Sequence, residues 1–344
     1  MIAHVATLAR WEWFKLRRRW MPWILLAVLL LISQLFLWGS FFNYRGQERS
    51  GGQVFFGDSA TGRRPVTLSC NDLLAGRADI PPEVAPGTIE QMRQNCQLMA
   101  AQQQEQLREM RASFTLPGSI PRTLSVANGI GLILIAILTA SMVGAEYGWG
   151  TVRSALVRGT GRWQYLAAKL ALAALVAAAA LVVVLGVTVV SSLAAQGLAG
   201  GETNAEVSGE WTNAAIALGK GWFALLPYVA LAGFVAVFTT SSSAGMAVAL
   251  GYYFGEQIVV LILINLFDWF QTVADYILGR NIAAWMLSTQ AGNVSGVSSG
   301  PGIRVGEYPS EMHAFLVLAA YMLVLGGVAF WLFLRRDIAA SGGG

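Results

Sequence analysis

Charge is what this sequence has least of. Asp, Glu, Lys and Arg together make up 12% of its 344 residues, about half the share of an ordinary soluble domain. Hydrophobic residues make up 55% and the mean hydropathy is +0.55. A soluble enzyme is therefore excluded, and so is a disordered chain; the surplus apolar surface has to face lipid. Histidine and cysteine are almost missing too, with His4, His313, Cys70 and Cys96 the only four. That is too few for a haem, iron–sulfur or zinc centre built from this chain alone, so neither a metal nor a resident cofactor is expected. No G-x-x-x-x-G-K-[ST] phosphate loop is present, so any ATP and Mg used would be bound by another polypeptide. The net charge of +4 comes from basic residues grouped at the ends of apolar runs and calls for no nucleic-acid partner.

What is present is a set of long apolar runs. A membrane helix needs about 20 predominantly apolar residues, and six segments qualify: 21–42, 124–145, 165–193, 221–239, 243–264 and 312–334. The expected fold is an all-α polytopic membrane protein. The first run is too long for a signal peptide and has no small-residue cleavage site before the following loop, so it is expected to stay as a span. Short basic flanks set orientation. Arg10, Lys15, Arg17, Arg18 and Arg19 precede the first span. Arg153, Arg158, Arg162 and Lys169 lie between the second and third, and Arg335 and Arg336 follow the sixth. These fall on one side, which places both termini, including the tail 335–344, in the cytoplasm. The expected location is a bacterial cytoplasmic membrane. The segment 43–123 carries nine arginines yet falls outside, as long loops translocate largely regardless of charge.

Residues 1–20 have Ile2, Val5, Ala9, Trp13, Leu16 and Trp20 at helical intervals, with Arg10, Lys15 and Arg17 mostly elsewhere. Such a basic, tryptophan-bearing helix lies flat at the membrane interface; the plainer alternative is a positive flank with aromatic anchors. The external insertion 43–123 holds a long helical pattern in which Thr88 and Gln91 have capping-box spacing. Ile89, Met92, Cys96, Met99, Met110 and Phe114 form an apolar seam. It can pack within the insertion, on another subunit or on an external partner. Both cysteines fall in this insertion, where an oxidising compartment favours a Cys70–Cys96 disulfide; closing that loop stabilises by roughly 3–4 kcal/mol in the chain-entropy model. Asn293-Val294-Ser295 in the external loop 265–311 matches a glycosylation sequon, a pattern common by chance.

The segment 146–164 carries more than topology requires. Glu146 and Tyr147 sit where the second span leaves the membrane. A Gly150-Thr151 turn follows, then Val152, Arg153, Leu156 and Val157 on a short amphipathic helix. Arg158 and Arg162 flank a glycine-rich turn, and Lys169 re-enters with the third span. This stretch resembles the permease subunits of ABC-2-type exporters, the bacteriocin- and drug-export permeases without a fused ATPase. In that family a Glu, a Gly-Thr turn, a short coupling helix, a small-residue-plus-Arg turn and a Lys come in this order. The resemblance covers the six-span plan of the type V exporter-like kind, the interfacial helix, the close fourth and fifth spans joined by TTSSS, and the aromatic segment NLFDWFQTVADYIL. The large first external loop departs from it. The resemblance implies a transport subunit without its own ATPase site. It would pair with a second permease copy or a paralogue and couple to separate ABC ATPase subunits through Glu146, Tyr147, Gly150, Thr151, Arg153, Leu156, Arg158, Arg162 and Lys169.

One acidic residue lies well inside a span. Glu256 is about 20 Å along the helix that starts near Ser243, and an ionisable group at that depth is a functional candidate. Gly251 and Gly255 have G-x-x-x-G spacing beside it, and Tyr252 shares its face. The carboxylate either lines a pathway or dimer seam or pairs with a neighbouring Lys or Arg. Used as a proton site, it would make the chain an ion-coupled secondary transporter, the alternative to the ATP-driven exporter.

Overall fold

The computed structural model describes residues 2–50, 53–56, 66–69, 75, 86–150, 161–200, 210–287 and 308–335. Apart from one short two-stranded ribbon, the described residues are helical. The elements are α1 (Ile2–Arg17), α2 (Trp20–Ser50), β1 (Gln53–Phe56), β2 (Val66–Ser69), α3 (Pro86–Phe114), α4 (Ser119–Gly148), α5 (Arg162–Leu198), α6 (Glu210–Thr239), α7 (Ser242–Leu266), α8 (Phe270–Ala274), α9 (Leu278–Leu287) and α10 (Glu311–Arg335). Six of them, α2, α4, α5, α6, α7 and α10, are long and apolar enough to cross a membrane. The chain is thus a helical multi-pass membrane protein, and the six apolar runs are the six spans.

The helices overrun the apolar runs. α2 and α5 extend to Ser50 and Leu198, and α6 begins at Glu210 rather than near Gly221. Hydropathy marks only the part of a helix that lipid covers; backbone hydrogen bonding carries the helix further until a breaker intervenes. The break between α1 and α2 falls at Arg18-Arg19, where Arg19 N–H bonds Leu16 O at 3.0 Å and the Trp23 indole donates to Arg17 O at 3.1 Å. Trp20, expected on the apolar face of α1, instead starts α2 and is 83% exposed. Thr88 does not cap α3. That helix starts two residues earlier at Pro86, a position where the missing proline N–H costs nothing.

The chain divides into two compact units, 1–33 with 120–188 and 204–344, and 34–119 with 189–203. In the second unit, Leu37, Phe41, Phe114 and Ala195 form a small core, with the Phe41 and Phe114 rings edge to face at 5.4 Å. Ser192 donates to Ser119 at 2.7 Å, and Arg45 donates to Leu198 O. Cys96 is buried in this unit, while Met99 is half exposed, so the seam expected along α3 covers only part of its length. β1 and β2 pair antiparallel, with Val54 opposite Leu68.

In the first unit α4 and α6 are central. Of their apolar stretches 61% and 67% is buried, against 11% for α7 and α10, so the latter two turn most of their surface to lipid or to a partner. Small residues bring the helices together, as is usual where lipid supplies no hydrophobic drive for association. A Cβ on Gly144 of α4 would lie under 3.0 Å from the Ser242 backbone and 2.9 Å from Ser241 C. The α6–α7 turn packs on that bare spot. Thr240 takes a left-handed φ of 54° there, costly for a β-branched residue, and the Ser241 side chain caps α7 by accepting from Ala244 N. Near the same ends Val143, Tyr165, Leu166, Ala236, Val237, Ala329 and Phe333 make one core, with Tyr165 stacked on Phe333 at 6.1 Å.

Candidate functional site

Glu146 occupies the last turn of α4, where the helix macrodipole disfavours a carboxylate, and it is buried. Lys169, in the second turn of α5, compensates. Its ammonium lies 2.9 Å from Glu146 Oε1 and 2.9 Å from Glu12 Oε2 on α1, and it donates to Met142 O at 3.1 Å. An ammonium has three hydrogens, and here three acceptors take them. The Lys169 side chain is only 2% exposed and sits over the Tyr165 ring at 5.0 Å. Lys15, half exposed, closes the group from outside at 2.7 Å from Glu12 and 3.5 Å from Glu146. Two carboxylates and two ammonium groups balance, which makes the burial tenable. Burial pushes the Glu12 carboxyl up, but the charges and hydrogen bonds of Lys169 and Lys15 outweigh it and hold the group below its ordinary value of 4.5.

The ends of the 151–160 segment are fixed around this group. Gly150 ends α4 with φ +66° and bonds Tyr147 O at 3.2 Å, the left-handed C-terminal arrangement that glycine adopts without strain. Tyr147 packs against the core that contains Tyr165 and Phe333. Trp149 is covered by the Arg19 guanidinium at 4.7 Å. At the other end Arg162 donates to Leu334 O at 3.0 Å and so caps the last turn of α10. Glu146, Tyr147, Gly150, Arg162 and Lys169 thus border one region. Thr151, Arg153, Leu156 and Arg158, with Val152 and Val157, lie outside the described residues. So do Cys70 and Asn293. Glu12 went unnoticed in the sequence, although a lone acid in the basic run WEWFKLRRR that has a lysine three residues on is a visible signal.

Glu256 lies elsewhere, in the middle of α7. It has no cationic partner among the described residues; its Oε1 accepts from the backbone N–H of Gly279 at the start of α9. Of the two alternatives, a pair with Lys or Arg is not met among the described residues. A helix N-terminus, with its unsatisfied N–H groups, takes the place of the cation. Gly279 has to be glycine for this, since a Cβ would occupy the position of the carboxylate. Gly251 and Gly255 meet nothing within 4 Å, so no described helix of the chain uses their spacing.

Polar contacts hold α8 and α9 beside Glu256. Asn281, fully buried, donates to Asp275 O and Ile277 O, both at 2.8 Å. Arg280 lies 3.2 Å from Asp275 Oδ1, and His313 Nε2 is 2.9 Å from Asp275 O. Trp285 donates to Lys220 O at 3.0 Å, and Phe223 stacks on Phe315 at 5.2 Å. His313 thus serves a helix junction, and the aromatic segment after the fifth span forms two short helices.

The family described as "Protein of unknown function (DUF2705)" matches residues 96–339. No curated protein matches the chain.

Proposed function

The chain belongs to that DUF2705 family, and from its buried charge group and six-span plan we propose that it is the permease subunit of an ATP-driven ABC exporter of the ABC-2 kind. In this reading the segment 151–160 is the coupling element, docked on a separate ATPase subunit that carries the ATP and Mg. Both chain ends face the cytoplasm, and a second permease copy or a paralogue completes the pathway.

The observation that carries the reading is the charge-balanced group in which Lys169 and Glu146 are buried, Glu12 is nearly so, and Lys15 closes it from the surface. It ties three helices together at the place where the segment leaves and re-enters the membrane region. A loop that only set topology would need surface lysines and arginines, not a buried Lys169–Glu146 pair, which is costly unless each charge is paired. A rigid joint of this kind lets a push on the 151–160 segment move α1, α4 and α5 together. Transport then follows from alternating the arrangement of two such bundles.

The test is to look for an ABC ATPase encoded beside this chain, co-express the two, and measure ATP hydrolysis of the purified complex in nanodiscs. A stoichiometric complex of two ATPases and two permeases is expected. Within it, Glu146→Ala or charge reversal at Arg158 is expected to lower transport-coupled hydrolysis while membrane insertion persists. A chain that binds no ATPase removes the reading and leaves gradient-driven transport through Glu256 in its place.

A further inference from the structure

Glu256 leaves one carboxylate oxygen without a hydrogen-bond partner, although the Tyr252 hydroxyl and the Arg280 backbone N–H also lie close to the group. Oε1 is held by Gly279 N–H; Oε2 is buried and has no hydrogen-bond partner. Beside it, from α6, comes Tyr228, 1% exposed, whose hydroxyl is also buried without a partner. The Tyr228 ring lies 6.4 Å from that of Tyr252 and 6.2 Å from that of Tyr253, so three tyrosines gather near one carboxylate. Two oxygens that can accept a hydrogen bond therefore face the interior of the membrane region without partners, and no bond joins them to each other.

Burying such groups is expensive, and a charged carboxylate on a spanning helix more so. A donor with positive charge satisfies both oxygens at once and also offsets the charge of the carboxylate. An ammonium has several N–H donors, and aromatic faces attract cations. We propose that Glu256, Tyr228, Tyr252 and Tyr253 form a binding site for a protonated amine carried on an apolar body. The carboxylate Oε2 and the Tyr228 hydroxyl accept its N–H groups, and the tyrosine rings shield the charge. Gly251 and Gly255, which meet nothing within 4 Å, leave open surface on α7 for the apolar body. The α9 N-terminus fixes Oε1 and so keeps Oε2 aimed at the ligand. This names the cargo class of the exporter proposed above and rests on that reading only for the direction of movement.

The test uses the full-length chain in nanodiscs without any ATPase, so it stands or falls apart from complex formation. Dansylcadaverine, a fluorescent primary amine, is titrated against its neutral N-acetyl derivative, with empty nanodiscs to subtract partitioning. Saturable binding of the amine is expected, with the neutral derivative at least about tenfold weaker. Glu256→Gln should weaken the amine to about the level of the neutral derivative. It should leave thermal stability near that of the parent, because the amide oxygen still accepts from Gly279 N–H. Tyr228→Phe keeps the ring and removes the hydroxyl, and should cost roughly two- to tenfold. Equal affinity for the two compounds, or unchanged affinity in Glu256→Gln, would show that the two oxygens hold a bridging water only and would overturn the proposal. Absence of saturable binding by the parent chain overturns it equally.

Discussion

Lys169→Met removes the centre of the buried charge group while keeping much of the side-chain volume. The ammonium has three short contacts, to Glu12, Glu146 and Met142 O, and the side chain is 2% exposed, so water cannot replace it. Glu146 would be left buried at the negative end of α4, where the dipole opposes it by up to about 1 kcal/mol. Breaking a buried pair from one side costs about 3–5 kcal/mol. Lys15 remains 2.7 Å from Glu12 and returns part of this, but it is half exposed and such pairs contribute at most about 1 kcal/mol. The net expectation is a loss of about 3–4 kcal/mol. SDS titration of the purified chain, followed by tryptophan fluorescence, measures it. Adding Glu146→Gln to Lys169→Met removes the stranded carboxylate and should recover a good part of the loss. A single variant within about 1 kcal/mol of the parent, or a double variant no better than the single, would refute the view that desolvated charges hold this joint.

The same group predicts an acid sensitivity. The folded Glu12 carboxyl lies below its ordinary value of 4.5, so as pH falls the unfolded chain takes up the proton first. Its stabilisation is complete above that ordinary value and is lost as pH falls through the folded value. Acid titration of unfolding should therefore show parent and Glu12→Gln well separated at pH 7 and converging in strong acid. Gly144→Ala places a methyl against the Ser241–Ser242 backbone and should cost about 1–3 kcal/mol by overpacking. Gly148→Ala, with nothing within 4 Å, should be neutral or stabilising by up to about 1 kcal/mol; comparison of thermal midpoints in nanodiscs checks both. Asn281→Ala strips both hydrogen bonds from the α8–α9 turn and should cost about 2 kcal/mol, with early protease cleavage near Asp275 as its readout. If Cys70 and Cys96 are bridged, mass spectrometry after alkylation in denaturant without reductant should find neither cysteine labelled.

Hydropathy determined the number of spans and their order. Lipid demands about 20 apolar residues per crossing, and that demand is local and one-dimensional. The turns at Gly150 and at Thr239–Ser241 were legible for the same reason, since they depend on backbone chemistry within a few residues. The sequence also pointed to Glu256 as an ionisable group inside a span, and to Glu146 and Lys169 at span ends through the family resemblance. What it could not settle was the partner of each. Lys169 meets Glu12 across 157 positions, and among the described residues Glu256 meets a backbone N–H on a short helix and no side-chain cation. A backbone donor carries no residue-type signature, so no reading of composition or spacing finds it. The apolar seam on α3 and the place of Trp20 turned out differently because periodicity states which residues share a face, not whether anything packs on it. Only the tertiary structure decided which polar groups are desolvated together, because burial is a property of the packed helices and not of any one of them.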